Sequence, residues 1–187
     1  TGGVSYSFQV SASSTSGESD RSSVLAQSTS PAAVGGTMTF SSVTMTGMTL
    51  AWTAPSGATP TGYIVYRDDG DASAMPTPSI VVFEGDALTT TVTGLTGGTS
   101  YTYMVEAFSA AGVGDVSATS TQSTSPAAPL GLTSDTQTST SITLSWSASV
   151  VSGGSAVTSY NVYRNDGSSA GAALSSSAAH TTTDGST

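Results

Sequence analysis

Few residues in this chain have the side-chain chemistry that catalysis requires. His180 is the only histidine, and Asp184 follows it in a sequence where Ser and Thr make up more than a third of the residues. A Ser–His–Asp site needs a nucleophile, a base and an orienting carboxylate within mutual reach, and in a chain this rich in Ser the presence of all three carries no weight. His180 stands where apolar Leu88 stands in a related segment, so we interpret it as an ordinary strand residue. The sequence predicts no catalytic residue, no bound cofactor and no enzyme activity.

Three closely spaced carboxylates, Asp68, Asp69 and Asp71, form the candidate metal site of the sequence. Carboxylate oxygens are ligands that Ca²⁺ prefers. The alternative is a hairpin turn, because Asp-Gly favours turns with positive φ. A related segment at 165–168 reads Asn-Asp-Gly-Ser, which keeps the turn and loses charge. We favour the turn over the calcium site.

Hydroxyl residues close to prolines are typical acceptors of O-linked glycans. No Asn-x-Ser/Thr sequon is present, so N-linked glycans are not expected. The alternative is that Ser and Thr serve only as polar surface that is compatible with strands. The O-glycan candidates are Thr29, Ser30, Thr59, Thr77, Thr124 and Ser125.

The charge of the chain excludes several classes of partner. The formal net charge is -9, and the three basic residues are Arg21, Arg67 and Arg164. Such a surface repels phosphate backbones and anionic membranes, so we expect no nucleic acid as a partner. The apolar runs are only a few residues long, which predicts no membrane span. With no Cys, neither a disulfide nor a thiolate metal site is possible.

The elements that would hold these residues are strands, and they repeat. Short apolar runs alternate with polar residues at period two, which is typical of β-strands. Related segments recur after about 95 residues, the length of a β-sandwich module: 5–10 matches 100–105 at an offset of 95, 48–52 matches 142–146 at 94, and 63–70 matches 160–167 at 97.

Alternation on these strands defines two inward-facing rows. The predicted core residues are Leu50, Trp52, Tyr101, Tyr103, Val105, Leu144 and Trp146. The same face recurs near the N-terminus in Tyr6, Phe8, Val10 and Ala12, which we expect to form an assembly strand.

Three motifs give the repeating unit its family resemblance. A Trp lies on one strand at 50–52, a Tyr-x-Val-Tyr-Arg strand follows at 63–67, and Leu95 precedes a Thr-x-Tyr-x-x-x-Val-x-Ala strand at 99–107 that a Gly-rich turn closes. The unit resembles a fibronectin type III domain, and the resemblance covers the whole chain in three pieces. It implies an all-β fold of tandem sandwiches, in which the Tyr101 hydroxyl bonds back to the backbone. It specifies a fold far better than a function.

The three pieces differ in completeness. Residues 31–126 match a complete module, residues 1–30 match only the last two strands of one, and residues 127–187 match only the earlier strands. Because 179–183 matches 87–91, position 187 corresponds to 95, and the first residues of the chain continue from 96 in register. We therefore expect one complete module and one split between the two termini, with residues 1–30 of one unit completing residues 127–187 of another.

Two functions follow from this organisation. The first is a subunit or repeat of an extracellular or cell-surface filament or stalk, joined head to tail as a homopolymer by strand complementation or as a covalent tandem array. The alternative is a set of spacer or binding modules in a secreted adhesin or polysaccharide-degrading enzyme.

Overall fold

The chain folds entirely as β-structure over the part that the computed structural model describes. That part comprises residues 2–57, 59–68, 80–150, 154–164 and 180–183, the last for the backbone alone. Its strands fall into an N-terminal hairpin (residues 3–30), a middle module (31–126) and a C-terminal unit (130–164 with 180–183). The predicted all-β class is confirmed. No helix of the length and hydropathy needed to cross a bilayer occurs among these residues.

The middle module is a sandwich of two antiparallel sheets. One sheet has the order β5-β6-β9, and the other has the order β11-β10-β7-β8 with β12 also on β10. The long strand β10 is central because it pairs with β7 on one side and with β12 and β11 on the other. The strands are β5 (Thr39–Ser41), β6 (Gly47–Ala51), β7 (Gly62–Asp68), β8 (Ile80–Gly85), β9 (Thr89–Thr93), β10 (Ser100–Ser109), β11 (Gly112–Val113) and β12 (Ser120–Ser123).

The core of the middle module lies between these two sheets. Leu50 from β6, Val65 from β7 and Tyr103 and Val105 from β10 are fully buried. Trp52 packs edge-on against Tyr63, with the ring centroids 5.8 Å apart. Burying an aliphatic or aromatic side chain of this size contributes roughly 1.5–3 kcal/mol, so the inward row of β10 stabilises much of the module.

The N-terminal hairpin consists of four short strands that, among the residues the structure describes, pair only with one another. Strand β1 (Ser5–Phe8) pairs with β4 (Leu25–Ser28), and β2 (Ser13–Ser14) pairs with β3 (Gly17–Glu18). The side chains of β1 and β4 are exposed throughout.

The C-terminal unit has two two-stranded sheets. Strand β13 (Leu130–Gln137) pairs with β14 (Ile142–Ser147), and β15 (Ser159–Val162) pairs with β16 (His180–Thr183). Trp146 meets Tyr160 edge-on at 5.7 Å and 67°, which reproduces the contact of Trp52 with Tyr63.

The position of β16 differs from the sequence prediction. Because residues 179–183 match residues 87–91, the sequence predicts that β16 takes the place that β9 has in the middle module. The structure instead pairs β16 with β15, in the register that β8 has with β7. Val162 faces His180 as Val65 faces Phe83. His180 thus corresponds to Phe83 and not to Leu88. A Thr-rich strand of four residues carries little information about its partner, and β15 offers it an open edge.

Two predicted core residues are not buried in this structure. Leu144 remains 39% exposed, whereas its counterpart Leu50 is fully buried, and Trp146 is only half-buried. In the middle module, the inward-facing side chains of β10 cover Leu50. The described residues of the C-terminal unit contain no strand equivalent to β10.

Candidate functional site

Most of the catalytic and metal-binding candidates lie outside the residues whose side chains the structure describes. Among the residues that the structure describes, no group of His, Cys, Asp or Glu side chains could hold a metal ion. Asp68 is buried at the end of β7, while Asp69 and Asp71 lie outside the described residues, so the calcium site stays a prediction. Asp184 also lies outside them.

The hydroxyl candidates for glycans divide by exposure. Thr29 and Thr59 are exposed, Ser30 and Ser125 are half-buried, and Thr77 lies outside the described residues. The prediction that Thr124 accepts a glycan needs correction, because this residue is only 3% exposed. Its hydroxyl accepts a hydrogen bond from the Thr99 backbone N–H at 3.1 Å and lies 2.7 Å from the Thr96 carbonyl, to which it donates. It fixes a turn and is not presented to a modifying enzyme in the folded module.

The outer face of the five-stranded sheet carries a tyrosine with a strongly perturbed hydroxyl. The Tyr66 hydroxyl donates a hydrogen bond to the Glu106 carboxylate. Burial, this hydrogen bond and the negative charges of Glu106 and Glu84 raise the pKa of Tyr66 to about 12. A tyrosine held in its neutral form by carboxylates is a stabilising contact and not a nucleophile at neutral pH.

Tyr101 makes the backbone contact that the family resemblance implies. Its hydroxyl accepts a hydrogen bond from the Thr96 backbone N–H at 2.9 Å. The guanidinium carbon of Arg67 lies 5.3 Å from the centre of the same ring, which is within cation–π range. Tyr101 therefore joins the start of β10 to the preceding turn and to the end of β7.

The N-terminal hairpin reproduces the β10–β12 hairpin of the middle module residue by residue. Strand register repeats at an offset of 95: Tyr6 faces Gln27 as Tyr101 faces Gln122. The hydrogen bonds that brace the hairpin repeat at the same offset. In each copy a serine hydroxyl accepts from a valine N–H at 3.1 Å, Ser22 with Val10 and Ser117 with Val105.

The two hairpins differ in whether their apolar face is covered by other strands. Tyr6 is 43%, Phe8 54% and Val10 71% exposed, while Tyr103 and Val105 in the middle module are fully buried. The predicted assembly row thus lies on a preformed hairpin with its apolar face open. Ala12, which ends the row, is exposed as well.

The C-terminal unit has a complementary opening. A cleft of about 710 Å³ is lined by Ile142, Leu144, Trp146, Val162 and Arg164, among others. The middle-module counterparts of the first four are Met48, Leu50, Trp52 and Val65, all of them buried core residues. The cleft therefore occupies the place where the β10 row packs in the middle module.

Sequence analysis missed the serine and threonine hydroxyls that brace the hairpins. Ser117 and Ser22, and Thr124 and Thr29, occupy equivalent positions at the offset of 95. In each pair the hydroxyl accepts a hydrogen bond from a backbone N–H of the facing strand. The recurrence of these hydroxyl residues at the offset of 95 could have indicated their role, but Ser and Thr are so abundant in the chain that the recurrence did not stand out.

Sandwich units in tandem define the class as a modular all-β protein. The chain belongs to the fibronectin type III family, because the model of the fibronectin type III domain matches residues 32–123 and 127–185. The resemblance seen in the sequence is thereby confirmed.

Several curated relatives match more than two thirds of the chain. Exoglucanase B of Cellulomonas fimi is 38% identical over 68% of this chain, and Endoglucanase B of the same organism is 40% identical over 68%. Chitinase A1 of Niallia circulans is 37% identical over 72% of this chain. The chain spans only 12%, 12% and 19% of the lengths of these relatives, respectively.

Solved structures of fibronectin type III domains also match. The domain of human fibronectin type III domain containing protein 3 has a TM-score of 0.47 and 22% identity over 54% of this chain and 91% of that one. Domains A168–A170 of titin have a TM-score of 0.45 and 24% identity, covering 57% of this chain and 36% of that one.

Proposed function

We propose that this chain is a non-catalytic spacer of fibronectin type III modules within a larger secreted enzyme that degrades a polysaccharide. The observation that carries the proposal is the identity of 37–40% to two glucanases and a chitinase over 68–72% of the chain. Each match covers more of the chain than the middle module alone, so the shared feature extends beyond a single module. This chain spans only 12–19% of those relatives, so the proposal assigns catalysis to residues outside it.

The geometry of the middle module suits a spacer. A side chain at Gly114 would meet the Pro31 carbonyl oxygen at 2.5 Å, and one at Gly97 would meet the Ala127 backbone at 3.2 Å. The module's first residues therefore lie beside Ala107, towards the C-terminal end of β10, and its last residues lie at the N-terminal end of that strand. The stretch of strand from Ser100 to Ala107, at about 3.3 Å per residue, separates the two points by roughly 26 Å.

Composition supports the same role outside the cell. Cellulose and chitin are polymers that an enzyme meets outside the cell, so the proposal includes an extracellular location. A formal charge of -9 with few ionic groups keeps a spacer soluble and gives it little attraction for other acidic polymers.

Antibodies against the 187-residue chain test the proposal directly. They are used to find the native protein in culture supernatant, and the same band is assayed for activity in gels containing cellulose or chitin. We expect a band much larger than 18.3 kDa that clears one of these polymers. A native band that carries no such activity would overturn the spacer proposal.

A pull-down separates a spacer from a carbohydrate-binding module. The chain is mixed with crystalline cellulose and with chitin, and the bound fraction is measured. A spacer stays in the supernatant with both polymers. Retention that soluble oligosaccharide reverses would instead make the chain a binding module of the same kind of enzyme.

The second candidate is an extracellular filament or stalk. The specific observation in its favour is the N-terminal hairpin, which copies β10–β12 in register yet leaves its apolar face exposed. Electron microscopy of the native protein distinguishes the two, since a filament shows many end-to-end modules and a spacer shows few.

A further inference from the structure

We propose that the turn at Gly97 and Gly98 is a docking surface for the loop that contains Gly154, and that this contact holds the middle module and the C-terminal unit in one orientation. The partner that the surface fits is a following fibronectin type III unit with a glycine at this loop position. The proposal goes beyond the spacer function and does not depend on it, because the joint belongs to this chain whatever else the chain is attached to.

The loop that precedes β15 approaches the turn that precedes β10 backbone to backbone. A Cβ added at Gly154 would lie 2.3 Å from the Gly98 carbonyl oxygen, 2.6 Å from the Gly98 carbonyl carbon and 3.2 Å from the Thr99 nitrogen. These three nearest atoms all belong to the middle module. The neighbouring unit therefore requires a glycine here, since only a residue without Cβ lets two backbones come this close.

The turn that receives the loop is itself fixed by backbone contacts. Gly98 is buried, has φ of 68° and donates its N–H to the Ser125 carbonyl oxygen at 2.8 Å. A positive φ of this size favours glycine. A Cβ at Gly97 would meet the backbone of Ala127 in the linker at 3.2 Å. The turn thus contacts the following unit twice, through the linker at its first glycine and through the loop at its second.

The same kind of joint occurs a second time, between the N-terminal hairpin and the middle module. A Cβ at Gly2 would meet the Ala32 nitrogen at 2.3 Å, and one at Gly57 would meet the Gly2 carbonyl oxygen at 2.7 Å. Gly3 has φ of 67° and donates its N–H to the Ser30 carbonyl oxygen at 2.6 Å. At the offsets of 95 and 97, the residues Gly2, Ala32, Gly57, Gly3 and Ser30 correspond, in that order, to Gly97, Ala127, Gly154, Gly98 and Ser125.

The recurrence shows which part of the joint matters. The loops read Pro-Ser-Gly at 55–57 and Ser-Gly-Gly at 152–154, so the last glycine and not its neighbours is common to both. The loop glycine meets the first glycine of the turn in one joint and the second glycine in the other. The two joints therefore use the same parts, with the loop placed one residue further along the turn in the second.

Contact at two points explains how so small an interface can fix an orientation. Modules joined by a linker alone move relative to one another unless their interface is large. The prolines at 31 and 126 stiffen the linkers, but rotation about a linker stays possible. The loop contact restricts that rotation, and it does so between backbones, which have no side-chain rotamers to yield. A spacer built in this way keeps one length and one direction.

Pulsed electron paramagnetic resonance between two spin labels measures the orientation of the two units in the full chain. The labels are attached through Asp86→Cys in the middle module and Ser139→Cys in the C-terminal unit, which are exposed positions, and the sequence contains no other Cys. We expect one narrow distribution of distances between the labels. A broad distribution, as for two units that rotate about a free linker, would overturn the proposal.

Gly154→Ala in the same labelled chain tests the loop contact. Its φ lies outside the left-handed region, so alanine is not strained at the position itself. The new methyl and the Gly98 carbonyl oxygen must separate from 2.3 Å to about 3.4 Å, which is ordinary contact. We expect the mean distance between the labels to shift, or the distribution to widen about twofold or more because the loop no longer restrains the linker.

Gly35→Ala is the matched control, because a Cβ there has nothing within 4 Å and its φ is also outside the left-handed region. This variant should give the wild-type distribution. Trp146 fluorescence shows whether each variant keeps the C-terminal unit folded. If Gly154→Ala unfolds it, Gly97→Ala replaces that variant, since it strains the linker contact from the side of the middle module. Equal distributions for the joint variant and the control overturn the proposal.

Discussion

At the scale of single residues, the hydrogen bond of the Tyr101 hydroxyl to the preceding turn should contribute measurably to the stability of the middle module. Tyr101→Phe leaves the Thr96 N–H without its 2.9 Å partner and keeps the ring. We expect the free energy of unfolding of the middle module to fall by about 1 kcal/mol. Denaturant unfolding monitored by Trp52 fluorescence, in a Trp146→Phe background, measures the change. Thr96→Ala keeps the backbone donor and should have a smaller effect; an equal loss would assign the stability to the threonine side chain.

Tyr66 makes the stability of the module depend on pH at the alkaline end. Its pKa is raised from 10.0 to about 12, so the folded state holds a proton that the unfolded state releases first. Stability from this group is complete below pH 10 and is lost as the pH rises to about 12. Burial raises the pKa of Tyr63 as well, which adds to the loss. Tyr66→Phe should flatten the profile of unfolding free energy against pH, and an unchanged slope would contradict the assignment.

At the scale of elements, the two hairpins make a matched pair for measuring what a bracing serine contributes. Ser117→Ala leaves the fully buried Val105 N–H without an acceptor, which costs about 1–3 kcal/mol. Ser22→Ala removes the equivalent bond from an exposed hairpin and should leave the same transition unchanged within about 0.5 kcal/mol. Chemical denaturation followed by Trp52 fluorescence compares them. Equal effects would mean that the hairpin contributes to the middle module.

The strands themselves were predictable from the sequence, and their partners were only partly so. Period-two alternation determines which face of β10 is apolar, so the alternation alone assigns Tyr103 and Val105 to the core. Alternation places Leu144 on the inward face of its strand, but it does not show whether another strand covers that face. Leu144 is therefore 39% exposed although the pattern predicts burial. The partner of β16 was mispredicted because a short Thr-rich strand pairs with whichever edge is open.

At the scale of the whole molecule, the sequence repeat does not produce equal stability. The middle module has a closed core, whereas the C-terminal unit leaves Leu132 and Ile142 more than 60% exposed. Side chains of this kind contribute roughly 1.5–3 kcal/mol each when buried. Two units of one family in one chain should therefore unfold separately, the C-terminal unit first.

Separate unfolding gives the last prediction, since each unit has a single tryptophan. Trp52→Phe leaves Trp146 as the reporter of the C-terminal unit, and Trp146→Phe leaves Trp52 as that of the middle module. We expect the Trp146 transition at the lower denaturant concentration when the protein is dilute. Two midpoints that coincide would contradict the unequal stability of the two units.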